Sequence, residues 1–132
     1  MKEIKLESGT VLKITPAPFS EALELTKAIA DELKTVSVDP QREIDINLIK
    51  EMAFTLIASD KVEKKVRGCM GRCLYGEVRI AEVEEVFENE NARGDYFKVF
   101  QEVLMENTRP FMKSLYAEFF GMVKKLESLP QA

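Results

Sequence analysis

Val86-Phe87-Glu88-Asn89-Glu90-Asn91-Ala92-Arg93-Gly94-Asp95-Tyr96-Phe97 turns an acidic, asparagine-rich connection into an aromatic amphipathic helix. Around it Glu82, Glu84, Glu85, Glu88, Glu90 and Asp95 stand against Arg93 alone, which predicts a solvated connection. A calcium loop needs oxygen ligands at set alternating positions and a central glycine, and this run has neither. Downstream, Phe97, Phe100, Leu104, Phe111, Leu115, Phe119, Met122 and Leu126 recur at three- and four-residue steps. The spacing predicts a helix from near Asn91 or Asp95 to about Leu126. Pro110 lies inside it and predicts a kink or a split, because proline removes one backbone bond and crowds the preceding turn. The polar end, 127–132, reads as a flexible tail.

Working back to the N-terminus, 1–15 reads as a β-hairpin. Ile4 and Leu6 alternate with charges, Ser8-Gly9 interrupts, and Leu12 and Ile14 alternate again. A three-residue connection, Ser8 to Thr10, pairs Leu6 with Leu12 and Ile4 with Ile14 on one face. Val78-Arg79-Ile80, after Tyr75-Gly76, reads as a third strand. Pro16-Ala17-Pro18-Phe19 stops the hairpin and opens a helix carrying Ala22, Leu23, Thr26, Ile29, Ala30 and Leu33. A connection at 36–44 leads to a second helix with Asp45 as its N-cap and Ile46, Ile49, Ala53, Leu56 and Ile57 as its buried stripe. Ser59-Asp60 then caps a third helix bearing Val62, Val66, Cys69 and Cys73. Gly68 and Gly71 weaken that helix by roughly 1 kcal/mol each relative to alanine, and close packing on another element is the expected compensation. The fold class is therefore α+β, mainly α. A hairpin packs on a bundle of about four helices over 17–126, in a single domain of 132 residues whose last helix is long and kinked at Pro110.

Composition narrows the function. Hydrophobic content of 45% and charged content of 32% are ordinary for a globular chain, and a net charge of −4 disfavours a nucleic-acid binder. No apolar run reaches the ~18 residues of a membrane span, so no membrane partner is expected. The sequence has no histidine, which removes the usual general base and the commonest metal ligand. Cys69 and Cys73 form C-x-x-x-C, one residue longer than the redox motif, and two thiols alone do not complete a zinc site. They read as small apolar residues in a helix interface. Neither catalysis nor a cofactor is expected. Binding is better motivated: Phe111, Met112, Leu115, Tyr116, Phe119 and Phe120 occupy more than one helical stripe. They form the expected partner surface, alongside Met105 and Met122, and the same surface offers a route to homo-oligomers.

The order of these pieces resembles the tail assembly chaperones of long-tailed, siphovirus-type phages and prophages. The resemblance lies in the hairpin, Pro16 to Phe19, Ser59-Asp60, Cys69 to Gly76, Phe87 to Phe97, and Val103 to Phe111. It spans roughly residues 4 to 116 as an ordered pattern, without a catalytic signature. Such proteins bind the long, helical, aggregation-prone tape measure protein and help recruit tail-tube subunits. They act in the host bacterial cytoplasm, are absent from the mature virion, and often have a longer frameshifted form. The resemblance thus implies a non-enzymatic role. The alternatives are a small structural virion component, such as a connector or tail-completion protein, and a bacterial helical adaptor.

Overall fold

Gly9 decides the hairpin register. Its φ of +95° is a conformation that residues with a Cβ rarely adopt, and it occupies the last position of the connection Glu7-Ser8-Gly9. The Leu6 N–H donates to the Thr10 carbonyl at 2.8 Å, and the Gly9 N–H to the Leu6 carbonyl at 2.9 Å. β1 (Lys2–Lys5) and β2 (Val11–Ile14) therefore pair Ile4 with Leu12 and Lys2 with Ile14. The loop has the expected three residues but starts one residue earlier than the sequence reading placed it. The register consequently slips by two, not by one, and the apolar set keeps its face. Leu6, Leu12 and Ile14 are buried in the core.

A computed structural model of the chain describes residues 1–33 and 46–128, with side chains for 1–33 and 52–111. The elements continue as α1 (Phe19–Leu33), α2 (Ile46–Ala58), α3 (Asp60–Gly68), a 3-10 turn (Cys69–Arg72), β3 (Leu74–Tyr75), β4 (Val78–Arg79), α4 (Val83–Val86) and α5 (Glu90–Ser128). This is an α+β fold, mainly α, with helices set against a sheet of order β1-β2-β3-β4. The expected connection at 36–44 and the Asp45 cap lie outside the described residues. So do the side chains of Ile46 and Ile49.

α1 buries Ala22, Leu25, Thr26, Ala28 and Ile29, while Ala30 is exposed and Leu23 half-buried. Ala22, Thr26, Ile29 and Leu33 of the expected set thus face the core, Leu25 and Ala28 join them, and Leu23 and Ala30 lie off the buried stripe. In α2, Leu56 and Ile57 pack on the core and Ala53 is exposed. Ser59 caps α3 as its residue type dictates, with its Oγ accepting the Val62 N–H at 3.1 Å. Val62 and Val66 behind that cap are fully buried, each worth roughly 1.5–3 kcal/mol of apolar burial.

The glycines of this region do not do what the sequence suggested. A Cβ built on Gly68 or Gly71 meets nothing within 4 Å, so no element packs closely on either. The α-helix ends at Gly68, the chain tightens into the 3-10 turn, and Cys73 is already extended at φ −93°, ψ 154°. Leu74–Tyr75, just past the expected third helix, is a strand paired to β2 through Leu12 and Tyr75. Gly76, at φ +65°, lets a two-residue connection return the chain as β4. The expected third strand is therefore the fourth, and it lies at the sheet edge.

The acidic connection contains one short helix, α4, and delivers Phe87 into the core. Phe87 stacks at 5.4 Å on Tyr75 and at 5.1 Å on Tyr96. Asn89 then starts α5, its Oδ1 accepting the Ala92 N–H at 2.9 Å. Ala92, Val99, Phe100 and Val103 bury one face of α5 against the rest of the fold. The helix runs unbroken through Pro110 and is not split there. In the preceding turn Asn107 Nδ2 donates to the Val103 carbonyl at 2.8 Å, and Thr108 Oγ1 to the Leu104 carbonyl at 2.7 Å.

Candidate interaction surface

Ala92, Val99 and Val103 lie on one side of α5 and are 1%, 0% and 0% exposed. By helical spacing Asn107 is the next residue on that line and is also buried, while Arg109 and Pro110 beyond it are exposed. The Asn107 Oδ1 accepts the Ala17 N–H at 2.7 Å and ties the start of α1 to α5. Pro16 and Pro18 restrict the backbone on either side of that tie. Phe19 follows at the first position of α1, 69% exposed, and its ring lies 5.7 Å from that of half-buried Phe111.

Of the expected surface residues, the side chains of Met105 and Phe111 are described, and Phe111 meets Phe19. Met112, Leu115, Tyr116, Phe119 and Phe120 continue the α5 backbone, and their side chains lie outside the described residues. Sequence reading missed Phe19 as a surface residue. Its signal was the two prolines before it, Pro16 and Pro18, which prevent an earlier helical turn from covering the first residue of α1. Phe97 also differs from the reading: placed on the recurring apolar stripe, it is 57% exposed, while its neighbour Tyr96 turns inward against Phe87. Met105, two turns further along α5, is 39% exposed.

Polar groups fix the opposite end of the sheet. Asp95 is buried, and its Oδ2 accepts hydrogen bonds from Ser8 Oγ and, at 2.6 Å, from the Tyr75 hydroxyl. One carboxylate thus joins the hairpin loop, β3 and α5. Burial, and then the bond to Asp95, raises the Tyr75 phenol above its ordinary value. On the β1 side, Lys2 Nζ reaches Glu102 at 3.4 Å and Glu106 at 3.2 Å. Burial pushes the Glu102 carboxyl up, but Lys98 at 3.0 Å and Lys2 outweigh it and hold the group below the usual carboxylate range. Glu106 Oε1 also meets Arg109 at 3.3 Å; these contacts are ionic and lack hydrogen-bond geometry.

Cys69 and Cys73 are free and buried. Burial first, then the neighbouring Glu21 carboxylate, raises the Cys69 thiol to about 11, and burial also raises Cys73. Both are protonated near neutral pH and poorly nucleophilic. Among the described residues no group of three or more His, Cys, Asp or Glu side chains has the arrangement to hold a metal ion. No described helix is long and apolar enough to cross a membrane. Comparison of the chain with protein families, curated proteins and solved structures finds no match. The functional reading therefore stands on the surface itself and on the ordered motifs of the sequence.

Proposed function

We propose that the protein is a tail assembly chaperone of a long-tailed phage or prophage, holding a helical tape measure protein in solution and helping recruit tail-tube subunits. The likeness in motif order from the hairpin to Phe111 supports the family. The Phe19–Phe111 pair carries the binding role. Phe19 leaves most of its ring in water, beside the half-buried ring of Phe111. Apolar surface of this kind suits the apolar stripe of a partner helix, packed as a helix in a groove. The client surface takes in Phe19 and Phe111 and continues through Met112, Leu115, Tyr116, Phe119 and Phe120. The work is done in the host bacterial cytoplasm, and the chaperone does not remain in the mature virion.

The reading requires a long helical tape measure protein as client, and co-expression with such a protein tests it. The expected result is a several-fold higher soluble fraction of that client with the wild-type chain. Phe19→Asp combined with Phe111→Asp should remove the gain while leaving the far-UV circular dichroism unchanged. A client no more soluble with the wild-type chain than without it overturns chaperoning. Recovery of the protein from purified mature particles moves the reading to a structural virion component.

A further inference from the structure

A shallow pocket of about 200 Å³ is lined by Ala17 and Pro18, the two residues before Phe19 in the chain, and by Gly68, Gly71, Arg72 and Arg79, with Glu21 as a carboxylate in its wall. Two observations set it apart. Among the described arginines, Arg67, Arg93 and Arg109 are ion-paired with glutamates. Arg72 and Arg79 instead bond to backbone alone: Arg79 Nε donates to the Gly71 carbonyl at 2.7 Å, and Arg72 Nη1 to the Pro16 carbonyl at 3.4 Å. The Arg79 bond uses only its Nε–H, so the end of that guanidinium keeps a parallel pair of donors for a carboxylate.

The second observation concerns the glycines. Neither Gly68 nor Gly71 has a positive φ, and a Cβ at either meets nothing within 4 Å. Backbone conformation does not require glycine here, and neither does packing. Both line the pocket, and at each the place of a side chain is open space. Two residues unfavourable in helical structure thus keep open a recess flanked by two guanidinium groups free of carboxylate partners.

We propose that this pocket receives a carboxylate of the partner, an Asp or Glu side chain on a helix whose apolar residues pack on Phe19 and Phe111. The proposal rests on the client-binding reading above and adds the chemistry of the client segment, which is acidic as well as amphipathic. Charge complementarity selects that occupant. Two arginines against Glu21 leave an excess of one positive charge, enough for one carboxylate. A nucleic-acid backbone needs a continuous basic track, and here it meets Glu21, with Glu24 one turn further along α1.

The test is binding of two synthetic helical peptides to the full chain. They are identical in their leucine stripe and differ in one residue, Glu in the first and Gln in the second. The Glu peptide should bind about tenfold more tightly, and its advantage should shrink with added salt. R72Q/R79Q should erase the advantage and leave the Gln peptide's affinity unchanged. G71A should reduce the advantage without altering the circular dichroism. Equal affinity of both peptides for the wild-type chain, or a preference that survives in R72Q/R79Q, overturns the proposal, as does failure of the Glu peptide to bind. Inorganic phosphate displacing the Glu peptide at equal concentration, with the same sensitivity to R72Q/R79Q, reassigns the pocket to phosphate and also overturns it. A preserved Glu preference with no gain in client solubility overturns the client reading alone.

Discussion

Two shallow pockets in this fold each contain a pair of arginines, and they are completed in opposite ways. In the first, about 230 Å³, Arg67 reaches Glu84 at 2.7 Å, Glu63 at 3.3 Å and the Tyr96 hydroxyl at 3.3 Å, while Arg93 reaches Glu88 at 3.0 Å. Arg67 also lies 5.8 Å over the Tyr96 ring, and Phe87 closes the aromatic cluster behind it. Its charges are matched within the fold. In the second, about 200 Å³, Arg72 and Arg79 hold only backbone carbonyls, and the adjoining aromatic residue, Phe19, points into water. The same residue types thus act as internal ties on one side and as unmatched recognition groups on the other. Arginine content alone does not distinguish a structural pocket from a receptive one; its partners do.

The largest expected effect comes from truncating an aromatic ring on each side. Phe87 is buried between Tyr75 and Tyr96, so Phe87→Ala should lower unfolding free energy by about 3–5 kcal/mol in a urea titration. Phe19→Ala should change it by about 0.5 kcal/mol or less, because the ring is already in water, and should lower client solubility instead. Equal stability losses for the two variants would erase the distinction between the sides.

A smaller effect sharpens the comparison through pH. Glu102 joins α5 to β1 through Lys2, and its carboxyl sits below its ordinary value because Lys98 and Lys2 outweigh the burial that raises it. A depressed folded value adds stability above the unfolded value of about 4.3, and that stability is lost as pH falls through the folded value. Glu102→Gln should therefore cost on the order of 1 kcal/mol near neutral pH and progressively less in acid. Thermal unfolding across that range checks this, and a loss independent of pH would remove the ionic tie.

The sequence made these elements legible to different degrees, for physical reasons. Ser59 was readable because a serine N-cap is a local interaction. The burial of Cys69 and Cys73 was readable from their apolar character, but not their backbone, since the α-helix expected to carry both ends at Gly68 and Cys73 is extended. The hairpin was readable as to face, but its register was not, since it depends on which loop position takes the positive φ. β3 was hidden: two residues carry no periodicity, and their pairing to β2 is long-range. Of the proposed surface, Phe111 stood out in the sequence through the excess of aromatic residues after Pro110. Phe19 did not, because its exposure follows from where Asn107 ties α1. Arg72 and Arg79 looked like any surface arginines, and only the absence of an ion-pair partner for each, among the described residues, separates them from Arg67.

A photo-crosslinking residue placed at Phe19 in one chain and at Glu84 in another tests the central claim most directly. Each would be co-expressed with the long helical client. The account predicts a covalent adduct with the client from position 19 and none from position 84, where the carboxylate belongs to Arg67. Adducts of equal yield from both positions, or from position 84 alone, would contradict it.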